Sequence, residues 1–238
     1  MIYLIPSFLS ENATETIPPY VLEAVKKCSV IFAENERTSR RFLKSLDRQI
    51  VIDDYEWHTI GKSTEINKEL YDKELREFVQ DIKAGKNIAI ISEAGCPGVA
   101  DPGQVLVMEA QKLNAEIKPL VGPSSILLAL MASGLNGQNF CFHGYLPIDV
   151  SARIQAIKEL ERESISRNCT QIFIETPFRN DKMITAVLQH AKDTTLFCIA
   201  AELTSTDEWV KTRMISEWKA NRPELHKKAA IFLLQGQR

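Results

Sequence analysis

Through the first half of the chain, short apolar runs alternate with segments of helical spacing. The strand-like runs are Ile2–Pro6, Val30–Glu34, Ile50–Tyr55, Ile88–Ser92 and Ile117–Val121. Between and after them, helical periodicity begins at Pro18–Pro19 and recurs over Glu36–Leu46, Ser63–Ala84, Gln104–Lys112 and Ile126–Ala132. Thr64 is the expected N-cap of the long third helix, with Asn67 in the capping-box position. Strands that alternate with helices form βαβ units with right-handed crossovers, which gives a largely parallel sheet. Such sheets bind ligands beyond the carboxyl ends of their strands. The loops that follow Ser92 and Val121 are therefore the places to look for function.

The second half has a different rhythm. A strand over Phe140–Tyr145 precedes a charged helix, Ser151–Glu163, with Ser151 as its expected N-cap. A strand at Thr170–Glu175 and a helix at Arg179–His190 follow. Then come strand-like runs at Leu196–Leu203, Glu208–Thr212 and Lys228–Gln235, with a helix at Ile215–Asn221 before the last. Successive strands of this kind imply a mixed sheet. The expectation is an α/β protein of two α/β domains, 1–121 with a mainly parallel sheet and 122–238 with a mixed one.

Glycine marks where a ligand would sit. Eight of the ten glycines fall between Gly85 and Gly144, and none precedes Gly61. The turn after the first strand reads PSFLSEN, so it carries neither GxGxxG nor a P-loop. This argues against a nicotinamide enzyme and a P-loop ATPase. The stretch Ile88–Gly103, IAIISEAGCPGVADPG, instead packs five Gly or Pro residues into the nine from Gly95 to Gly103. Such a loop either lets backbone approach a ligand closely or holds a turn that other residues cannot adopt. Its carboxylates, Glu93 and Asp101, serve an amino-acid ammonium or a substrate hydroxyl on one reading, and cap the next helix on the other. Gly122–Ser125 opens a helix and either holds an anion on its amides or is capped by Ser124.

Arg37, Arg40, Arg41 and Lys44 follow one another at i, i+3, i+4 and i+7, one helix face that is either solvated or meets an anionic substrate. A net charge of −2 argues against a large basic nucleic-acid surface but not against a local patch. The five cysteines include no CxxC, which reads as reduced thiols in a cytoplasmic protein. The histidines are scattered with no metal spacing and no triad, so no metal is expected and hydrolytic machinery is absent from the pattern. No run approaches the ~18 apolar residues of a membrane span. MIYLIPSFLS lacks the charged and apolar regions of a signal peptide.

SEAGCPGVADPG resembles the SDAGTPLISDPG motif of the tetrapyrrole methylase superfamily. The nearest branch is the ribosomal small-subunit RNA 2′-O-ribose methyltransferases. AENERTSRRFL at 33–43 resembles its AEDTRVTRKLL, and VGPSSILLALMASGL at 121–135 its PGPSAALTALSASGL. FHGYLP, FIETPFR and AAELT resemble FxGFLP, FYESPHR and ARELT in the same order.

The resemblance implies two α/β domains with S-adenosylmethionine folded between them, in a homodimer that acts on RNA. It implies cofactor contacts from Ser92, Glu93, Ala94, Gly95, Pro97 and Asp101, from Gly122, Pro123 and Ser124, and from Glu175, Ala201 and Glu202. Glu34, Arg37, Arg40 and Arg179 are the implied substrate contacts. Glu34, Glu93 and Asp101 are the carboxylates available as a base. The departures are Glu93 for Asp, Cys96 for Thr, and Ser205–Thr206 where the branch carries a Lys pair. They make the chain a divergent paralogue of that branch. Methylation of a tetrapyrrole or other small molecule, or cofactor binding without turnover, are the alternatives.

Overall fold

The structure is a computed structural model that describes residues 1–11, 13–60 and 68–237. The chain forms two compact units, Met1–Ser124 and Ser125–Arg238. As expected, each is an α/β domain, the first with a parallel sheet and the second with a mixed one.

In the first unit the strands are β1 (Ile2–Ile5), β2 (Val30–Ala33), β3 (Glu56–Thr59), β4 (Ile88–Ile91) and β5 (Ile117–Pro119). They are all parallel, in the order β3-β2-β4-β1-β5. The helices are α1 (Pro19–Val25), α2 (Glu36–Leu46), α3 (Lys68–Lys83) and α4 (Gln104–Lys112). Strand side chains alternate between two faces. Tyr3, Ile5, Ile31, Ala33, Ala89 and Ile91 pack against α1 and α2. Ile2, Val30, Phe32, Ile88 and Ile90 pack against Phe78 of α3 and Leu106 and Ala110 of α4. Both faces are covered, and for that reason these strands read as continuous apolar runs.

This layout places the ligand-binding crevice. β4 lies between β2 and β1. The helices that follow β1 and β2 cover one face, and the helix that follows β4 covers the other. Connections that leave to opposite faces open a crevice at the carboxyl ends of the strands.

The third strand differs from expectation. Ile50–Tyr55 was the apolar candidate, yet Ile52–Asp54 forms a 3-10 turn and the strand is the more polar Glu56–Thr59. An edge strand needs few inward side chains, and only His58 of this one is buried. Ile50 joins the core from the loop instead. The expected N-cap Thr64 and its partner Asn67 lie outside the described residues.

The second unit contains β6 (Phe140–Tyr145), β7 (Thr170–Ile174), β8 (Leu196–Ala201), β9 (Trp209–Met214) and β10 (Ala230–Gln235), in the order β6-β7-β10-β8-β9. Only β6 and β7 are parallel. Helices α6 (Val150–Arg167), α7 (Asn180–His190) and α8 (Ile215–Ala220) share one core with Phe173, Phe197 and Phe232. Helix α5 (Ser125–Ser133) packs on β8, β9 and β10. The α6 cap is Asp149, which accepts from the Ala152 N–H at 2.8 Å, and not Ser151. Asp reaches the free amides of a first turn as well as Ser does, so the cap lies two residues before the expected one.

Candidate functional site

The loop after β4 is tied to the end of β1. Ser7 and Gly95 exchange backbone hydrogen bonds, Ser7 N–H to Gly95 O at 2.9 Å and Gly95 N–H to Ser7 O at 3.2 Å. Ser7 Oγ donates to the Ser92 carbonyl at 2.6 Å, and Ser92 Oγ donates to the Gly95 carbonyl at 2.8 Å. Both serines are buried, so Ser92 holds the loop together with its hydroxyl. Gly95 has φ +74°, the left-handed region that glycine enters at no steric cost. Pro97 is buried in the same turn.

Asp101 closes the other end of the loop. Its Oδ1 accepts from Gly103 N–H at 2.8 Å and Gly98 N–H at 3.0 Å. Burial pushes its carboxyl above the usual carboxylate range, against the two amide hydrogen bonds, which pull it down. Asp101 therefore organises the loop rather than standing free. Cys96 points at backbone oxygen, 3.6 Å from the Pro123 carbonyl, and burial raises its thiol. A raised thiol is a poorer source of the nucleophilic thiolate. At Gly122, a Cβ would fall 2.2 Å from Pro6 Cβ, so this backbone lies flush against the end of β1. Pro123 is buried beside it and Ser124 half-buried.

Glu93 is different. Its carboxylate is exposed, and Oε1 accepts a hydrogen bond from Thr38 Oγ1 in the first turn of α2. That turn is fixed by Asn35, whose side chain accepts from Arg37 N–H at 3.0 Å and Thr38 N–H at 3.4 Å. Among the described residues, Glu93 Oε2 has no partner. Together the loop after β1, α2 and the start of the β4 loop enclose a cleft of about 270 Å³. Ser10, Glu11, Thr38, Arg41, Ser45 and Glu93 give it a polar lining, and Phe8 and Phe42 an aromatic one. The two rings meet edge to face at 4.8 Å.

The basic residues of α2 do not act as one patch. Arg41 lines the cleft, with Glu11 3.8 Å away. Arg40 pairs with Glu36 and lies over the Trp57 ring at 5.2 Å. Lys44 donates to the Ile50 and Arg48 carbonyls at 2.6 and 3.2 Å. Arg37 is exposed, and Glu34, at the end of β2, is half-buried. Sequence spacing identified the helix and offered Arg41 as an anion contact, which does line the cleft, but missed Thr38. A Thr beside Arg on a first helical turn is too common a pattern to stand out.

In the second unit, Glu175 is 5% exposed. Its Oε1 accepts from Arg179 Nη2 at 2.7 Å and Nε at 2.9 Å, and from the Thr176 N–H at 2.7 Å. The Glu175 carboxylate raises the Arg179 guanidinium. These two candidates are thus each other's partners. Ala201 is fully buried at the end of β8. Glu202 has φ +51°, and its carboxylate accepts from the Ala229 N–H.

The β4 loop suits a cofactor that carries a carboxylate, a ribose and a positive sulfur. The N–H groups of Ala94 and Ala100 donate to no protein acceptor among the described residues. Both residues are exposed, and Val99 beside them presents an apolar side chain to solvent. Free amides, exposed apolar surface and the neighbouring Glu93 carboxylate supply what such a molecule needs.

Comparison with known proteins identifies the family. The family model for Tetrapyrrole (Corrin/Porphyrin) Methylases matches residues 13–218. Ribosomal RNA small subunit methyltransferase I of Buchnera aphidicola is 27% identical over 237 residues, 98% of this chain and 77% of that protein. The protein of the same name from Vibrio cholerae is 32% identical over 164 residues, 68% of this chain and 56% of that one. Among solved structures, the methyltransferase CobJ superposes with a TM-score of 0.60 at 16% identity, over 94% of this chain and 91% of that one. Uroporphyrin-III C-methyl transferase from Thermus thermophilus, complexed with S-adenyl homocysteine, gives 0.57 at 14% identity, over 98% and 96%. At these identities the two structures speak to the fold alone.

Proposed function

This chain belongs to the tetrapyrrole methylase family, and from that premise we propose that it methylates a 2′-hydroxyl of RNA. It is an S-adenosylmethionine-dependent methyltransferase. The observation that carries the reading is the cleft in which Glu93, Thr38 and Arg41 line one space beside the β4 loop.

The bound cofactor supplies a methyl group on a positively charged sulfur, which departs as a neutral thioether. The protein's work is therefore to position the acceptor and accept its proton. The β4 loop, Gly122, Pro123 and Ser124 hold the cofactor. Phe8, half-buried and backed by the core ring of Phe42, offers a face against which a base stacks. Arg41 meets a phosphate oxygen. Thr38 holds Glu93 by Oε1, which leaves Oε2 to take the proton of a ribose hydroxyl placed in the cleft. Asp101 is already committed to two amides and does not compete for this role.

Two coarser features follow the family resemblance. We propose a homodimer, supported by exposed Leu127 and Met131 four residues apart on α5, to be checked by light scattering. We propose a cytoplasmic location, in keeping with free thiols at Cys28, Cys169 and Cys198. No helix among the described residues is long and apolar enough to cross a membrane.

The test compares oligoribonucleotides with matched oligodeoxyribonucleotides as acceptors. The reading expects methyl transfer to the ribo series only. Equal transfer to both would remove the 2′-hydroxyl from the account.

A further inference from the structure

A second cluster, unconnected with methyl transfer, sits where α3 crosses the edge strand β3. Glu56 and His58 are two apart on a strand and so share a face. Glu74, Glu77 and Asp81 recur along one face of α3. The two faces meet. His58 is 9% exposed and its ring is stacked on Phe32 with 4.6 Å between centroids, so its orientation is fixed.

His58 Nδ1 lies 2.9 Å from Glu74 Oε2 and 3.1 Å from Glu77 Oε2. A ring nitrogen carries at most one hydrogen, which cannot serve both carboxylates. Across the ring, Nε2 lies 3.3 Å from Glu56 Oε1. Lys86 Nζ holds Glu56 at 2.8 Å and Asp81 Oδ1 at 2.7 Å. Asp81 is 7% exposed, and its Oδ2 is buried without a hydrogen-bond partner. One carboxylate oxygen each of Asp81 and Glu56 and a His58 ring nitrogen all lie within 4.8 Å of one another. Lys73, 3.6 Å from Glu77, is the other cation at the cluster among the described residues. Four carboxylates set against two ammonium groups leave two negative charges when the imidazole is neutral.

We propose that His58 Nδ1, Glu74 and Glu77 hold a divalent first-row transition-metal ion of the zinc class. Donor atoms bound at about 2.1 Å lie about 3.4 Å apart at a tetrahedral centre, so the 2.9 and 3.1 Å that separate Nδ1 from the two glutamate oxygens need to open by only a few tenths of an ångström. Glu56 accepts the Nε2–H and so fixes the tautomer that leaves Nδ1 free to ligate, a support typical of metal-bound histidines. The imidazole donor favours a transition metal over magnesium or calcium. The ion ties α3 to β3 and covers one edge of the sheet.

The test strips the full chain with a chelator and titrates it with zinc chloride by calorimetry, alongside thermal unfolding. Expected are one ion per chain at micromolar affinity or better, a higher unfolding midpoint, and no uptake of magnesium at the same concentration. Glu77→Gln should weaken binding at least tenfold, and His58→Asn should abolish it. Glu56→Gln should weaken it about 10–100-fold through the ring orientation. Cys96→Ser and Cys141→Ser should leave it unchanged, which separates this site from thiol capture of zinc. No saturable binding at millimolar zinc, zinc binding that survives both Glu77→Gln and His58→Asn, or equal binding of magnesium would each overturn the proposal.

Discussion

Removing the Asp101 side chain should loosen the cofactor loop by a calculable amount. Asp101→Ala takes the acceptor from Gly103 N–H, held at 2.8 Å, and from Gly98 N–H, held at 3.0 Å. A buried donor left unpaired costs about 1–3 kcal/mol. Gly103 is buried and bears that cost in full, whereas half-buried Gly98 can turn to water and bears less. The sum is about 2–3 kcal/mol. For a domain of this size that is a fall of about 8–12 °C in midpoint, read by differential scanning calorimetry. Asp101→Asn keeps a carbonyl oxygen in place and should lose little. The pH dependence adds a sign. Burial raises the Asp101 carboxyl above its unfolded value. The stability it contributes is thus complete below the unfolded pKa and is lost as pH rises through the folded one. Asp101→Asn should therefore gain on the wild type as pH rises above about 4. If Asn proves as damaging as Ala, charge rather than acceptor geometry holds the loop, and the reasoning fails.

Glu93→Gln should lower the methyl-transfer rate at saturating S-adenosylmethionine by about 10²–10⁴-fold; a rate within threefold of wild type removes Glu93 as the base. Gly122→Ala drives a Cβ to 2.2 Å from Pro6 and should cost about 1–3 kcal/mol in urea unfolding; no loss would mean that the two segments part easily. Glu175→Ala strands the Arg179 guanidinium, held at 2.7 and 2.9 Å. Arg179 is partly exposed, so the loss should be about 2 kcal/mol, and Glu175→Gln should recover part of it.

The sequence disclosed those features whose causes are local. Helix α2 begins and ends where expected because Asn35 caps it and Asp47 leaves helical geometry after it. Strands β1, β2 and β4 were legible because both of their faces are buried. β3 was misplaced because an edge strand needs little apolar surface, and the apolar Ile50–Ile52 beside it packs from a loop and a turn. The site was legible as a loop but not as a set of partners. Thr38 and Glu93 are 55 residues apart, and His58 and Glu74 are 16 apart on different elements. Such pairs arise from strand order and helix crossing, which spacing along one segment does not record. The Arg37–Lys44 series shows the converse. Its periodicity was real, yet Trp57 and the Ile50 carbonyl, both outside the helix, drew Arg40 and Lys44 away from a common patch.

The central claim is that this chain methylates RNA through the Glu93 cleft. The most direct measurement incubates the purified chain and methyl-labelled S-adenosylmethionine with extract from cells that lack it. RNA, protein and small-molecule fractions are then separated. The account predicts label in RNA, released by ribonuclease as a ribose-methylated nucleotide, and lost with Glu93→Gln. Label in the small-molecule fraction, or tight cofactor binding with no transfer to any fraction, would contradict it.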